Sequence, residues 1–151
     1  MNLRSLLPVF LAFACLLGFQ QPASAGQVFT NVAQAQAAAK AHHKNLLVYW
    51  TGQGWCPYCS SLDKGVMNKP QIASWIRSNV VFCKVNCQNG KNWGAAAHKY
   101  KVNTVPTRIL LDPNGRVLAK GVGYGGKGTP KSFIGWMSSR ENTNEAGSQS
   151  K

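Results

Sequence analysis

Hydrophobic residues fall into short runs separated by polar, glycine- and proline-bearing stretches, and the spacing within each run names an element. Leu46-Leu47-Val48-Tyr49-Trp50 is continuous, as expected of a strand covered on both faces. Val80–Val85 reads as a second buried strand and Thr107–Leu111 as a third. Asn31–His43 is rich in Ala and Gln, with Asn31 in position to cap a helix. From Pro57 the pattern turns helical, breaks near Lys69-Pro70 and resumes through Ile72, Trp75 and Ile76. A short helical stretch lies within Gly90–Tyr100. Asp112-Pro113-Asn114-Gly115 is a turn with proline at its second position, from which Arg116–Val122 returns as a hairpin strand. Thr129 and Pro130 open a last helix that packs through Phe133, Ile134, Trp136 and Met137. The polar stretch Asn142–Lys151 reads as a disordered tail behind a domain that ends at Arg140.

Early strands separated by helices imply parallel crossovers, and the terminal hairpin adds antiparallel pairing. The expected fold is therefore α/β, a mixed central sheet with helices on both faces. A length of 151 residues suits one such domain, and 44% hydrophobic with 14% charged residues excludes wholesale disorder.

The N-terminus changes the functional picture. Arg4 precedes an apolar stretch, Leu6–Phe19, and Ala23-Ser24-Ala25 follows as a small-residue cleavage site. About 14 apolar residues fall short of the ~20 needed to span a bilayer as a helix. Met1–Ala25 thus reads as a cleaved secretory signal peptide, and the mature chain as Gly26–Lys151, periplasmic or secreted. Seventeen Lys and Arg against four Asp and Glu give a formal charge of +13. In an exported chain that excess does not point to nucleic acid, and the cations are scattered singly. They form a solvated basic surface, with acidic partners or anionic membrane as what it attracts. Four cysteines remain beyond the signal, Cys56, Cys59, Cys83 and Cys87, in a compartment where disulfide chemistry is the default.

Trp55-Cys56-Pro57-Tyr58-Cys59 sits where a buried strand gives way to a helix. There the unpaired backbone N–H groups and the positive end of the helix dipole favour an anion, and a thiolate is one. The Cys56 thiol should titrate below the free value of ~8.5. Pro57 loses nothing in the first turn, where its N–H would be unpaired anyway. Two intervening residues bring Cys59 round one turn to within bonding distance. Cys56 is then the nucleophile and Cys59 the resolving thiol, through a mixed disulfide with a partner, with no metal or organic cofactor. A haem site would need His after Cys59, where Ser60 stands. A plain stabilising disulfide is weakly supported, because so short a loop restrains little chain entropy.

Taken together, Leu46–Trp50 leading into the Cys-Pro-Tyr-Cys motif, Val105-Pro106-Thr107 and the turn Asp112–Gly115 resemble the thioredoxin superfamily over nearly all of Asn31–Arg140. The sequence is similar to exported thioredoxin-like proteins such as the C-terminal domain of DsbD. The resemblance implies the thioredoxin fold and thiol-disulfide exchange with protein thiols and disulfides of the periplasm, with a membrane-bound redox partner as one counterpart. It implies that Pro106 is cis and faces the cysteines, and that Val105 offers backbone groups to a bound peptide. Trp55, Pro57, Tyr58, Val105 and Pro106 are then the partner-facing surface. One departure stands out. Tyr49 replaces the family's buried acid while Lys84 keeps the place of the lysine that faces it, so protons leaving Cys59 need another acceptor. The Pro-Tyr pair, shared with glutaredoxins, points to a couple more oxidising than thioredoxin's value of about −270 mV.

Cys83 and Cys87 add a second question. Four residues on a straight strand span about 13 Å, at about 3.3 Å per residue, whereas a disulfide needs Cα atoms within about 7 Å. A local Cys83–Cys87 disulfide therefore requires the strand to end near Asn86, with Gln88-Asn89-Gly90 supplying the turn. Two buried thiols and a second redox pair are the other readings. The spacing of all four cysteines also resembles a zinc module, although one pair opens a helix and the other lies on a buried strand. A zinc-held structural module and a redox-inactive peptide-binding domain stay open as alternatives. Gly121–Lys127 nearly spells a phosphate loop but is followed by Gly128, and reads as a connection. Trp75, Trp93 and Trp136 read as packing residues, and His42 and His43 as the end of a helix.

Overall fold

A computed structural model of the chain describes residues 26–88, 93–124 and 128–148. The elements are β1 (Val28–Phe29), α1 (Val32–Ala41), β2 (Asn45–Thr51), α2 (Pro57–Leu62), a π-helical turn (Asp63–Met67), α3 (Pro70–Asn79), β3 (Val80–Asn86), α4 (Gly94–Lys99), β4 (Thr107–Leu111), β5 (Val117–Val122) and α5 (Pro130–Ser148). The expected signal peptide, Met1–Ala25, lies outside the described residues, as do Asn89, Gly90 and the Gly125–Lys127 part of the glycine-rich loop. Among the described residues no helix is long and apolar enough to cross a membrane. The backbone of α5 runs on to Ser148, past Arg140, where the sequence pattern ends the domain.

The sheet order is β1-β3-β2-β4-β5. β2 pairs in parallel with β3 and antiparallel with β4, and β4 pairs antiparallel with β5. This mixed sheet explains the unbroken apolar run in β2. Side chains alternate between faces along a strand, and here both faces are covered. Leu46, Val48 and Trp50 pack on one side with Ala35 and Ala39 of α1 and Ala97 of α4. Leu47 and Tyr49 pack on the other with Leu62, Ile72, Ile76, Phe133 and Met137. Burial of a large aliphatic side chain contributes about 1.5–3 kcal/mol, so β2 is strongly fixed in place. Two-residue β1 went unseen in the sequence because it is too short to show alternation.

Local caps fix where the helices begin. The Asn31 side chain accepts from the Gln34 amide at 3.1 Å, and Thr129 Oγ1 accepts from the Ser132 amide at 3.1 Å. The β4–β5 hairpin turns on Asp112, whose side chain is 2% exposed. Its Oδ1 accepts from the Asn114 and Arg116 amides at 2.8 and 2.9 Å, and its Oδ2 from Arg116 Nε at 2.6 Å. Gly115 takes φ +84°, a conformation that favours glycine.

Burial alone would raise the Asp112 pKa, but the hydrogen bonds from the Arg116 backbone, the Arg116 side chain and the Asn114 amide outweigh it and hold the carboxyl below its ordinary value. A depressed folded-state pKa means stability fully present above the ordinary carboxylate range and lost as pH falls through the folded value. Asp112→Ala is expected to lower stability by about 2 kcal/mol at neutral pH, with the deficit shrinking in acid. Urea denaturation of both proteins at neutral and acidic pH measures this.

Candidate functional site

The site begins where β2 ends. Thr51 is fully buried, and the loop after it turns tightly because the Cys56 amide donates to the Gly52 carbonyl at 3.0 Å. Gly52 is required there: a Cβ would lie 2.6 Å from the Trp55 ring, which packs on it. The Trp55 indole Nε1 donates to the Cys87 carbonyl at 2.9 Å, and the Cys87 amide donates to the Thr51 carbonyl at 2.7 Å. The end of β3 thus clamps both sides of the loop that carries the motif.

Cys56 is the N-cap of α2, in extended backbone, with Pro57 in the first turn. Its Sγ accepts from the Cys59 amide at 3.1 Å, and Cys59 Sγ accepts from the Gly52 amide at 3.3 Å. The two cysteines form a disulfide with Cα atoms 5.2 Å apart. They are unequally placed: Cys56 is 6% exposed and Cys59 1%. Beside Cys56 stand two exposed aromatics, Trp55 at 41% and Tyr58 at 66%. Exposed Pro57 lies between the cysteines.

On the opposite wall the Val105–Pro106 peptide is cis, as the family resemblance implies. The Val105 carbonyl oxygen lies 3.9 Å from Cys56 Sγ. This wall is pinned by the Gly123 amide donating to the Pro106 carbonyl at 2.7 Å and by Thr107 Oγ1 donating to the Thr104 carbonyl at 2.8 Å. The structure therefore brings together Trp55, Cys56, Pro57, Tyr58, Cys59, Val105 and Pro106 around one disulfide.

Beneath the motif runs a polar row. Tyr49 of β2 is in register with Lys84 on one side and Arg108 on the other. Lys84 Nζ sits 5.5 Å from the Tyr49 ring centre, within cation–π range. Burial raises the Tyr49 pKa above its usual range, with Thr51 and Asp63 near enough to influence it. Burial likewise lowers that of Arg108, whose guanidinium donates to the Gly123 carbonyl at 3.0 Å.

Asp63 is the residue that the sequence reading missed. Its amide donates to the Cys59 carbonyl, one turn along, and its Oδ2 pairs with Lys84 Nζ at 3.2 Å. Its Oδ1 is buried without a hydrogen-bond partner, like the Tyr49 hydroxyl and Thr51 Oγ1. A carboxylate thus returns to the lysine from the helix side, where the strand offers only Tyr49. The available signal was positional: Asp63 is the first acidic residue of the chain and lies four after Cys59, on the same helical face.

Cys83 and Cys87 are unbonded, buried thiols. The expected local disulfide is not formed, because β3 stays extended through Asn86 and holds the two apart. Burial pushes the Cys83 thiol up to about 12 and the Cys87 thiol up to about 11. Neither joins the motif pair in a ligand set: among the described residues no group of three or more His, Cys, Asp or Glu is placed to hold a metal ion.

A family model described as a thioredoxin-like domain matches residues 32–136. No curated protein matches the chain in sequence. Among solved structures, DsbH oxidoreductase superposes with a TM-score of 0.65 at 18% identity, over 85% of this chain and 94% of that one. The reduced C-terminal domain of Neisseria meningitidis DsbD gives 0.59 at 17%, over 74% and 98%. A thioredoxin from Thermus thermophilus gives 0.59 at 21%, over 77% and 87%. These likenesses concern the fold, while the family match spans most of the chain and includes the disulfide-bonded Cys56-Pro57-Tyr58-Cys59; the chain belongs to the thioredoxin-like family of thiol-disulfide oxidoreductases.

Proposed function

We propose that this chain exchanges disulfides with protein partners outside the cytoplasm, with Cys56 as the attacking sulfur and Cys59 as the resolving one. The observation that carries the reading is the asymmetry of the pair. Cys56 caps a helix beside exposed Trp55 and Tyr58 and against the Val105 carbonyl, whereas Cys59 is sealed below it. In the reducing direction the Cys56 thiolate attacks one sulfur of a partner disulfide. The other partner sulfur leaves as a thiolate and takes up a proton. Cys59 then gives up its proton and attacks Cys56 Sγ, and the partner's second sulfur departs and is protonated. Two electrons have passed to the partner, with one proton from Cys59 and one from solvent, and Cys56–Cys59 is a disulfide. The same steps reversed oxidise a partner dithiol. A leader at Met1–Ala25 would deliver the chain to the periplasm or beyond, where a membrane-bound redox protein is a natural counterpart.

Proton transfer at Cys59 falls to Asp63. It hangs from the Cys59 carbonyl through its own amide, is charge-paired with Lys84, and has one oxygen without a partner. Asp63 follows Cys59 by one helical turn on the same face, and a general base accelerates a thiol's attack by abstracting the proton as the bond forms.

Cys59→Ala is expected to accumulate mixed disulfides through Cys56 when mixed with oxidised protein clients, and Cys56→Ala to accumulate none. Non-reducing gels with mass mapping read this, and an absence of adducts from Cys59→Ala would indicate a binding domain without redox function. The reduction potential of the Cys56–Cys59 pair then sets the direction: near about −120 mV for an oxidant, below about −250 mV for a reductase.

Asp63→Asn is expected to leave formation of the mixed disulfide intact and to slow its resolution by about a hundredfold or more, the usual size of a lost general base. Quenched-flow separation of the two steps measures this, and Asp63→Glu should recover part of the rate. A uniform loss in both steps would assign Asp63 a structural role instead.

A further inference from the structure

The charge of this protein is distributed in an informative way. Between residues 26 and 140 the chain carries two carboxylates, Asp63 and Asp112. Both are engaged internally, Asp63 by Lys84 and Asp112 by Arg116 and the turn amides. Among the described side chains, solvent therefore meets cations and no carboxylate that is not already ion-paired.

Three of the scattered cations come together in the fold. Lys99, Lys101 and Lys120 gather around Tyr100: Lys99 Nζ lies 5.1 Å from its ring centre, and Lys120 Nζ donates to the Tyr100 and Lys101 carbonyls at 3.1 and 2.7 Å. Lys101 itself adopts φ +52°, in the left-handed turn that closes α4, where the Val102 amide donates to the Ala97 carbonyl at 2.8 Å. Its side chain lines an open groove of about 530 Å³ with Trp93, Ala97, His98, Val102 and Asn103. Three residues on from Val102 comes Val105, whose carbonyl faces Cys56 Sγ. Three residues of chain span about 10 Å at most, so the edge of the groove at Val102 lies within that distance of Val105.

We infer that the clients of this site are acidic polypeptides, in which an Asp or Glu about three positions from the reacting cysteine is held by Lys101 in the groove below Val105. The inference rests on the exchange reaction proposed above and names its substrate class. Opposite charge in the groove both steers the encounter and orients the client's cysteine toward Cys56, while a basic client meets like charge over the whole surface. A lipid headgroup is disfavoured as the occupant because the groove adjoins the redox wall and leads toward the sulfur.

Three cyclised peptides of one sequence, each holding a single disulfide and differing only in Glu, Gln or Lys three positions from a cysteine, test it. Reduced full-length protein, freed of reductant, is mixed with each, and peptide dithiol is followed by acid quench and chromatography. The expected order is Glu, Gln, Lys, with about a tenfold spread between the extremes at low salt that collapses at about 0.5 M salt. Lys101→Gln should narrow the Glu-to-Lys ratio about threefold. Lys40→Gln removes the same charge at the opposite end of β2 from the cysteines and should leave the ratio unchanged. Failure of Cys59→Ala to form a mixed disulfide with any of the peptides would overturn the exchange reading itself. Equal rates for all three would leave that reading standing and overturn the acidic-client inference. An equal effect of Lys40→Gln would overturn the groove as its seat. Co-sedimentation with phosphatidylglycerol vesicles, without any ranking of the peptides, would assign the cations to a membrane and overturn it too.

Discussion

Backbone N–H groups aimed at two sulfur atoms are the interaction on which the site depends. The Cys59 amide meets Cys56 Sγ and the Gly52 amide meets Cys59 Sγ, one donor from the start of α2 and one from the loop closing β2. Hydrogen bonds to a charged acceptor are about twice as strong as neutral ones, so both donors favour sulfur as thiolate more than as thiol. Their aim is set at a distance. β2 is buried on both faces and cannot slide, so Thr51 is a fixed point from which Gly52 hangs. Trp55, seated on Gly52 and bonded to the Cys87 carbonyl, closes the other side of the loop. The geometry at Cys56 is thus set by the packing of β2 and the loop that follows it.

The same strand also orders the buried polar layer. Tyr49 sets a large ring in register between two cations, Lys84 and Arg108. Asp63 restores the charge balance from the first residue after α2, where the helix passes into its π-helical turn. π-helical turns inside helices recur at functional sites, and here the wider turn begins at the residue that faces Lys84. Lys84 thus takes its carboxylate from the helix side rather than from its own sheet.

Most of the fold was legible because its signals are local. The apolar run of β2, the Asn31 cap, the Pro70 restart and the Asp112–Gly115 turn each act within a few residues, and each element lies where its pattern placed it. The motif was legible because Cys-Pro-Tyr-Cys after a buried strand leaves little freedom in where the sulfurs go, and its Val105–Pro106 wall because the sequence there resembles the thioredoxin superfamily. What escaped depends on contacts between elements. β1 exists only through its pairing with β3. The π-helical turn at Asp63 has no composition of its own. The tie between Trp55 and Cys87 joins residues 32 apart in sequence through a backbone carbonyl, which no side-chain pattern reports.

That tie also explains why a second pair of cysteines can persist beside a redox centre without entering its chemistry. Cys87 contributes through its main chain, with its amide on Thr51 and its carbonyl on the Trp55 indole. Its thiol is turned into the apolar layer with Cys83, Trp50 and Ala97, where a small polarisable group packs well. Distance along an extended strand prevents the two from bonding to one another. Burial does the rest, because desolvation raises both thiols, to about 12 and about 11, and leaves little thiolate at neutral pH. One fold thus holds its sulfurs in two opposite settings, a disulfide at a helix start and two thiols in a packed core.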